Sequence, residues 1–188
     1  MTCHPFGFEK VKSLGQWMQI YRLYRSAFPR GERKPFLVML DLRRKGKTDV
    51  WCFSVDKRFA GFASTINDDD LILIDYLAVR PQKRNHGIGT SALNALKAAY
   101  SGKGVFVEIE SVFENTPDRQ ARVKRKQFYL RSGFEDMQVL ADVFGIPMEL
   151  LAWNYQMDFE RYYGFYHDNY SPWAASHIKP MAYPQQQP

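Results

Sequence analysis

The sequence predicts a domain of the mixed α/β class, in which a central mixed β-sheet is flanked by helices on both faces. The first indication is the hydrophobic pattern: stretches of alternating apolar and polar residues are interspersed with stretches whose apolar residues recur at helical spacing. The second is composition, because 45% of the 188 residues are hydrophobic, which is enough for the buried core of one domain.

The first third of the chain predicts one strand, two helices and a hairpin. Ser13 is a suitable N-cap for the first helix, and Pro35 fits the first turn of the second. The elements are the strand Phe6–Val11, the helices Ser13–Ala27 and Pro35–Gly46, and the hairpin strands Asp49–Val55 and Phe59–Ile66.

Leu71–Val79 is the most apolar predicted strand, and we expect it at the centre of the sheet. Its Asp75 is an exception, because a carboxylate in a central strand is costly unless it is paired or functional. The preceding Asn67–Asp70 segment has three adjacent carboxylates. It lacks the ligand spacing and the pivot glycine of a metal-binding loop, so we predict a polar turn and no metal site.

The remainder of the main domain predicts two helices and three strands. These are the helix Ser91–Tyr100, the strand Val105–Glu110, the basic helix Asp118–Ser132, and the strands Phe134–Val143 and Met148–Trp153 around a turn at Gly145–Pro147.

An aromatic-rich segment begins at Tyr155. Such residues can stack on bases or ligand rings, but they more often pack a terminal helix onto its domain or onto a second subunit. We therefore expect a main domain over residues 1–153 and an extension over residues 154–188, with a helix followed by a disordered tail from Tyr183 to Pro188. We also expect a homodimer through the aromatic segment.

The formal net charge of +6 fits either a nucleic-acid partner or a phosphate-rich cofactor. Basic residues cluster at Arg43–Lys47, Lys83–Arg84 and Arg119–Arg131. The second cluster adjoins a glycine loop, which favours a cofactor there, whereas the other two are typical of solvated helix faces.

Cys3 and Cys52 are far apart in the sequence, and no Cys/His cluster is present, so we expect neither a disulfide framework nor a zinc site. The chain begins without a basic segment followed by an apolar run, and no apolar stretch approaches the roughly 20 residues that span a bilayer. We therefore expect a cytoplasmic protein with no membrane partner.

The segment Arg84–Thr90 (RNHGIGT) lies between the central strand and the next helix. Backbone N–H groups in such a turn converge where the helix dipole also favours negative charge. Gly87 and Gly89 let the backbone approach an anion, and Lys83 adds positive charge. A P-loop would need G-x-x-x-x-G-K-[ST] and a dinucleotide fold G-x-G-x-x-G after the first strand, and neither pattern is present.

This strand–loop–helix sequence resembles the acetyl-CoA signature of the GNAT acetyltransferase superfamily, a strand followed by Q/R-x-x-G-x-G/A and a helix. A second block, Phe128–Phe134 (FYLRSGF), resembles the family's F-Y-x-x-x-G-F. The resemblance spans Phe6–Trp153. It implies a GNAT fold with splayed fourth and fifth strands, and an N-acetyltransferase that transfers an acetyl group from acetyl-CoA to a primary amine of a small molecule or peptide.

The resemblance also implies roles for individual residues. The tyrosine of the second block, here Tyr129, would protonate the coenzyme sulfur; alternatively, it packs beside Phe128. Backbone groups of the family's fourth strand hold the pantetheine and polarise the thioester, which corresponds to Leu77, Ala78 and Val79. The loop that would hold the pyrophosphate corresponds to Arg84, Asn85, His86, Gly87, Ile88, Gly89 and Thr90.

Asp75 and Glu110 are equally good candidates for the general base, because several family members place a carboxylate on the cofactor strand and the next strand lies beside it. Glu108 shares a strand face with Glu110 and would attract a cationic acceptor. The alternative is that one or more of these carboxylates pairs with the basic helix at Arg122 or Arg125.

The first two helices and their connection are the expected acceptor side, since family acceptor sites vary most there. The expected substrate-binding residues are Tyr24, Phe28, Glu32 and Arg33; the alternative is a surface loop with helix caps.

Two other functions fit parts of the sequence. The first is a catalytically silent acyl-CoA-binding module, against which Tyr129 and the carboxylates count. The second is a nucleic-acid-binding protein that uses the basic helix and the aromatic tail. We expect an enzyme without a nucleic-acid partner.

Overall fold

A computed structural model of the protein describes residues 5–28 and 33–184. In chain order the elements are β1 (Phe6–Lys10), α1 (Leu14–Ala27), α2 (Phe36–Arg44), β2 (Thr48–Val55), β3 (Arg58–Asn67), β4 (Leu71–Val79), a 3₁₀ turn (Pro81–Lys83), α3 (Ile88–Ala99), β5 (Gly104–Glu110), α4 (Arg119–Arg131), β6 (Glu135–Val143), β7 (Ile146–Trp153), α5 (Phe159–Asn169), α6 (Pro172–Ala175) and β8 (Ile178–Met181).

The strands follow the order β1-β2-β3-β4-β5-β7-β6-β8. The pair β4–β5 is parallel, whereas β1–β2, β2–β3, β5–β7, β6–β7 and β6–β8 are antiparallel. This mixed sheet with its helices confirms the predicted fold class.

The chain divides into two compact units. The first consists of residues up to Asn67 together with Ile74–Ser101, and the second of Asp68–Leu73 together with the residues from Gly102 onward. β4 contributes residues to both units. The boundary expected after Trp153 falls inside the second unit.

The first helix begins as the sequence predicts. Ser13 accepts a hydrogen bond from the Gln16 amide at 3.2 Å, and the Gln16 side chain accepts one from the Ser13 amide at 3.1 Å. This reciprocal capping box typically stabilises a helix start by about 1 kcal/mol. The buried face of α1, with Ile20, Leu23 and Tyr24, packs into the core of the first unit.

The predicted β2–β3 hairpin is also present. Its turn is formed by Asp56 and Lys57, whose φ angles are 53° and 61°. Left-handed conformations at both central residues are typical of the type I′ turn, which matches the twist of the flanking strands.

In the second unit, α5 is part of the core. Tyr162 and Phe165 are fully buried, and their rings lie 6.2 Å and 5.0 Å from the ring of Phe106 on β5. The sequence did not predict β8. This strand pairs antiparallel with β6, with Ile178 opposite Val143 at one end and Met181 opposite Leu140 at the other.

Two elements begin two or three residues before their predicted starts. α3 begins at Ile88 rather than Ser91, because Gly87, with φ of 74°, directly caps it. β7 begins at Ile146 rather than Met148, because the preceding turn is formed by Phe144 and Gly145, with φ of 53° and 86°.

The predicted polar turn contains two carboxylates that bind the same guanidinium. Arg161 lies 2.9 Å from Asp68 and 2.6 Å from Asp70. Of the expected disordered tail, Tyr183 donates a hydrogen bond to Asp136 at 2.8 Å, and residues 185–188 lie outside the described residues.

Within residues 5–28 and 33–184, no group of three or more His, Cys, Asp or Glu residues could hold a metal ion. None of the helices in this part of the chain combines the length and the apolar character that crossing a membrane requires.

Candidate functional site

The predicted anion loop connects β4 to α3 through two left-handed residues. Asn85 has φ of 63° and Gly87 has φ of 74°, and the helix begins immediately afterwards. The first amides of a helix have no acceptor within the helix and lie at the positive end of its dipole. The side chains of Arg84 and His86 are exposed beside them. The loop therefore offers N–H groups and positive charge to an anion in solution.

The end of β4 is held firmly by β3. A Cβ atom at Gly61 would collide with the carbonyl oxygen of Ala78, so the two backbones meet more closely than a side chain would permit. The Arg80 amide donates to the Ala60 carbonyl at 2.8 Å, and the Arg84 guanidinium donates to the Val79 carbonyl at 3.2 Å. These contacts fix the point at which the loop begins.

Leu77, Ala78 and Val79 are the β4 residues whose backbone is expected to hold the pantetheine. Their side chains alternate in burial: Leu77 and Val79 are half-buried and Ala78 is buried. The parallel pairing of β4 with β5 consists of Leu71–Gly104, Ile72–Val105 and Leu73–Phe106, so it ends six residues before β4 does.

Asp75 is paired with a lysine that the sequence analysis did not single out. The Lys34 ammonium lies 2.6 Å from the Asp75 carboxylate, which is 10% exposed. Nothing in the sequence could have revealed this pair, because 41 residues separate its members and Lys34 lies in a run of basic residues.

Two expected substrate residues lie in an aromatic cluster around this lysine. The Tyr24 hydroxyl donates to the Lys34 carbonyl at 2.7 Å, and the Lys34 amide donates to the Tyr76 hydroxyl at 3.1 Å. The Phe28 ring lies 5.7 Å from that of Tyr24 and 4.8 Å from that of Tyr76. Burial, with a smaller contribution from the Asp75 charge, raises the pKa of Tyr76. Arg33 is half-buried, and Glu32 lies outside the described residues.

In the second unit, Glu110 binds two arginines of the basic helix. One carboxylate oxygen lies 3.1 Å from Arg122 and the other 2.7 Å from Arg125. Both oxygens are therefore occupied by guanidinium groups, which is the pairing that the sequence analysis left open as an alternative.

Glu108 accepts a hydrogen bond from the buried Tyr162 hydroxyl at 2.7 Å. Burial, and after it the Glu108 charge, raises the pKa of Tyr162. The carboxylate is thus bound by a neutral donor of α5, a contact that no sequence pattern indicated.

Tyr129 is 8% exposed and packs between the rings of Phe128, at 5.1 Å, and Phe134, at 5.5 Å. Burial raises the pKa of Tyr129 to about 12, although the charge of Arg125 lowers it somewhat. The phenol therefore remains protonated at neutral pH.

Residues 46–136 of the chain match the model of the acetyltransferase (GNAT) domain. Over these residues the chain is similar to GNAT acetyltransferases. The matched residues begin at the turn before β2 and end in β6, so they include β4, the anion loop and Tyr129. No match was found among curated proteins.

Solved structures of GNAT proteins share the fold. A GNAT-family protein from Bacteroides thetaiotaomicron has a TM-score of 0.71 and 20% identity, over 87% of this chain and 98% of that chain. NAA60 of Arabidopsis thaliana in complex with acetyl-CoA has a TM-score of 0.62 and 15% identity, over 79% and 98% of the two chains. An aminoglycoside 6'-N-acetyltransferase complexed with coenzyme A has a TM-score of 0.62 and 19% identity, over 78% and 95%.

Proposed function

We propose that the protein is an N-acetyltransferase that transfers an acetyl group from acetyl-CoA to a primary amine of a small molecule or peptide. The observation that supports this most strongly is the left-handed turn at Asn85 and Gly87, which leads from a firmly held β4 directly into α3. Two neighbours in fold are structures with acetyl-CoA or coenzyme A bound.

The residues of the loop fit this cosubstrate. A Cβ atom at Gly87 would meet nothing within 4 Å, so its backbone can be approached from solution. The amides of Gly87–Thr90 and the cations Lys83 and Arg84 would hold the pyrophosphate, and the β4 backbone at Leu77–Val79 would hold the pantetheine. Acetyl-CoA supplies an activated acetyl group as a thioester.

Among the carboxylates, we propose Asp75 as the general base. Both oxygens of Glu110 bind guanidinium groups of α4, whereas Asp75 contacts the ammonium of Lys34, whose side chain is 34% exposed. Asp75 would take the proton of the acceptor amine, and Tyr129 would donate the proton that the leaving sulfur needs. The acceptor would contact Phe28 and Arg33 of the first unit.

Three cations of the basic helix α4 are already paired with carboxylates. Arg122 and Arg125 bind Glu110, and Lys126 binds Asp136 at 2.6 Å and the buried Glu149. Because these cations are neutralised within the second unit, they offer little charge to phosphates. We propose a cytoplasmic enzyme with no nucleic-acid partner.

A screen of amines that follows release of free coenzyme A tests this function. We expect turnover with at least one amine and a fall in kcat of about 100-fold in Tyr129→Phe, because general acid catalysis typically contributes at least that factor. Tyr163→Phe is the control. This tyrosine of α5 is half-buried, and within the described residues its one aromatic ring contact is with Phe159. Coenzyme binding without turnover of any amine would indicate a silent acyl-CoA-binding module instead.

We also propose a homodimer through the C-terminal aromatic segment. Trp173 is 66% exposed and Phe144 is 47% exposed, with ring centroids 5.8 Å apart, which makes an apolar patch on the second unit. A mass from light scattering should be twice 22.0 kDa and should fall towards the monomer value in Trp173→Ser. A wild-type mass of one chain would disprove the dimer.

A further inference from the structure

The ammonium of Lys34 lies where the ammonium of an acceptor would lie. It contacts the carboxylate of Asp75 at 2.6 Å, and Asp75 is the group that the proposed function assigns as the base. The lysine side chain is 34% exposed, so reagents in solution can reach it. An amine held against a general base in this way has the arrangement of a bound acceptor.

The lysine is held at its main chain as well as at its side chain. The Tyr24 hydroxyl binds its carbonyl oxygen at 2.7 Å, and its amide binds the Tyr76 hydroxyl at 3.1 Å. Tyr76 directly follows Asp75 in β4. A solvent-exposed ion pair usually loses much of its strength to side-chain freedom, but three polar contacts to two elements keep this lysine next to β4.

β4 also places Asp75 on the face that the proposed function assigns to the acetyl group. Side chains two residues apart share one face of a strand. Asp75, Leu77 and Val79 are accordingly half-buried, whereas Tyr76 and Ala78 are buried. The Lys34 amine is therefore next to the first residue of the face along which the thioester would lie.

We propose that Lys34 is a modification site and that the protein acetylates this lysine itself. The inference rests on the proposed function, because it uses the same acetyl donor and the same base. Asp75 takes one proton from the Lys34 ammonium, and the lone pair of Nζ then forms a bond to the acetyl carbon of acetyl-CoA. The bond from that carbon to sulfur breaks, the sulfur takes the second amine proton, and Asp75 releases the first proton to water. The products are N-acetyllysine and free coenzyme A.

The test is incubation of the full-length protein with acetyl-CoA alone, followed by peptide mass spectrometry. We expect Lys34 to be the first lysine acetylated, at a rate per molecule that does not depend on protein concentration. Asp75→Asn should slow the modification of Lys34 by about 100-fold, since it removes the base. Lys34→Arg should abolish the first modification.

Lys45 provides the matched control. Its ammonium also pairs with an aspartate, Asp41, at 2.7 Å, and its side chain is 62% exposed. Lys45 directly follows α2, and its partner Asp41 lies on that helix rather than on β4. It should be acetylated more slowly than Lys34 and at the same rate in Asp75→Asn. Asp75→Ser and thermal melting of each variant exclude a loss of folding as the cause.

Equal acetylation of Lys34 and Lys45, or a rate at Lys34 that Asp75→Asn and Asp75→Ser leave unchanged, would overturn the inference. An amine assay on the same preparation separates the two proposals. Turnover of an external amine with unmodified Lys34 overturns only the self-acetylation, whereas absence of both acetyl-CoA binding and turnover removes the proposed function together with it.

Discussion

The three candidate carboxylates on β4 and β5 are each bound by a different kind of donor. Asp75 binds an ammonium, Glu108 a phenol and Glu110 two guanidinium groups. Residue type and strand alternation are enough to identify such carboxylates as candidates. They cannot separate a base from a structural ion pair, because the partners lie 12 to 54 residues away in the sequence.

For single residues, we predict that two neutralising substitutions affect different properties: one lowers stability and the other lowers kcat. Glu110→Gln should lower the free energy of unfolding by about 3 kcal/mol, because it leaves the largely buried Arg122 with only the exposed carboxylate of Asp118, and it should change kcat little. Asp75→Asn should lower kcat about 100-fold. Urea denaturation measures the free energy of unfolding of both variants, and steady-state kinetics measures their kcat. A larger loss of kcat in Glu110→Gln than in Asp75→Asn would show that Glu110 is the base.

Among the elements, those with local signals could be predicted from the sequence and those that depend on distant partners could not. The capping box of α1 and the β2–β3 hairpin lie within short stretches, so their residues specify them directly. β8 has four residues, one of them Pro180, and exists because it pairs with β6 about 40 residues earlier. Pairing at that separation has no signature in the short segment itself.

The anion loop is the element whose conformation the proposed function most needs. Gly87→Ala should cost about 1 kcal/mol of stability, because a residue with a Cβ is strained at φ of 74°, and should raise the KM for acetyl-CoA about tenfold as the turn shifts. Gly46→Ala is a closely matched control, since Gly46 has φ of 73° and equally open surroundings. Thermal melting should show similar losses for both variants. If KM changes equally in both, the loop has no special role in cofactor binding.

For the whole molecule, the C-terminal residues from 154 onward complete the second unit rather than extend it. α5 buries Tyr162, Phe165 and Tyr166, and Arg161 binds Asp68 and Asp70 of the turn before β4. Tyr183, two residues after β8, donates to Asp136, which also binds Lys126 of α4. The chain therefore brings its last described residues back to the helix that contains Tyr129.

A chain that ends at Trp153 should consequently fail to fold cooperatively. Full burial of one large apolar side chain contributes about 2 kcal/mol, so the loss of three buried aromatic residues would remove about 6 kcal/mol. That is comparable to the total stability of a domain, which is about 5–15 kcal/mol. A chain that ends at Pro184 keeps every described contact and should melt like the full-length protein. Circular dichroism melts of the two truncations decide the matter: a sharp transition in the chain ending at Trp153 would show that residues 1–153 fold alone.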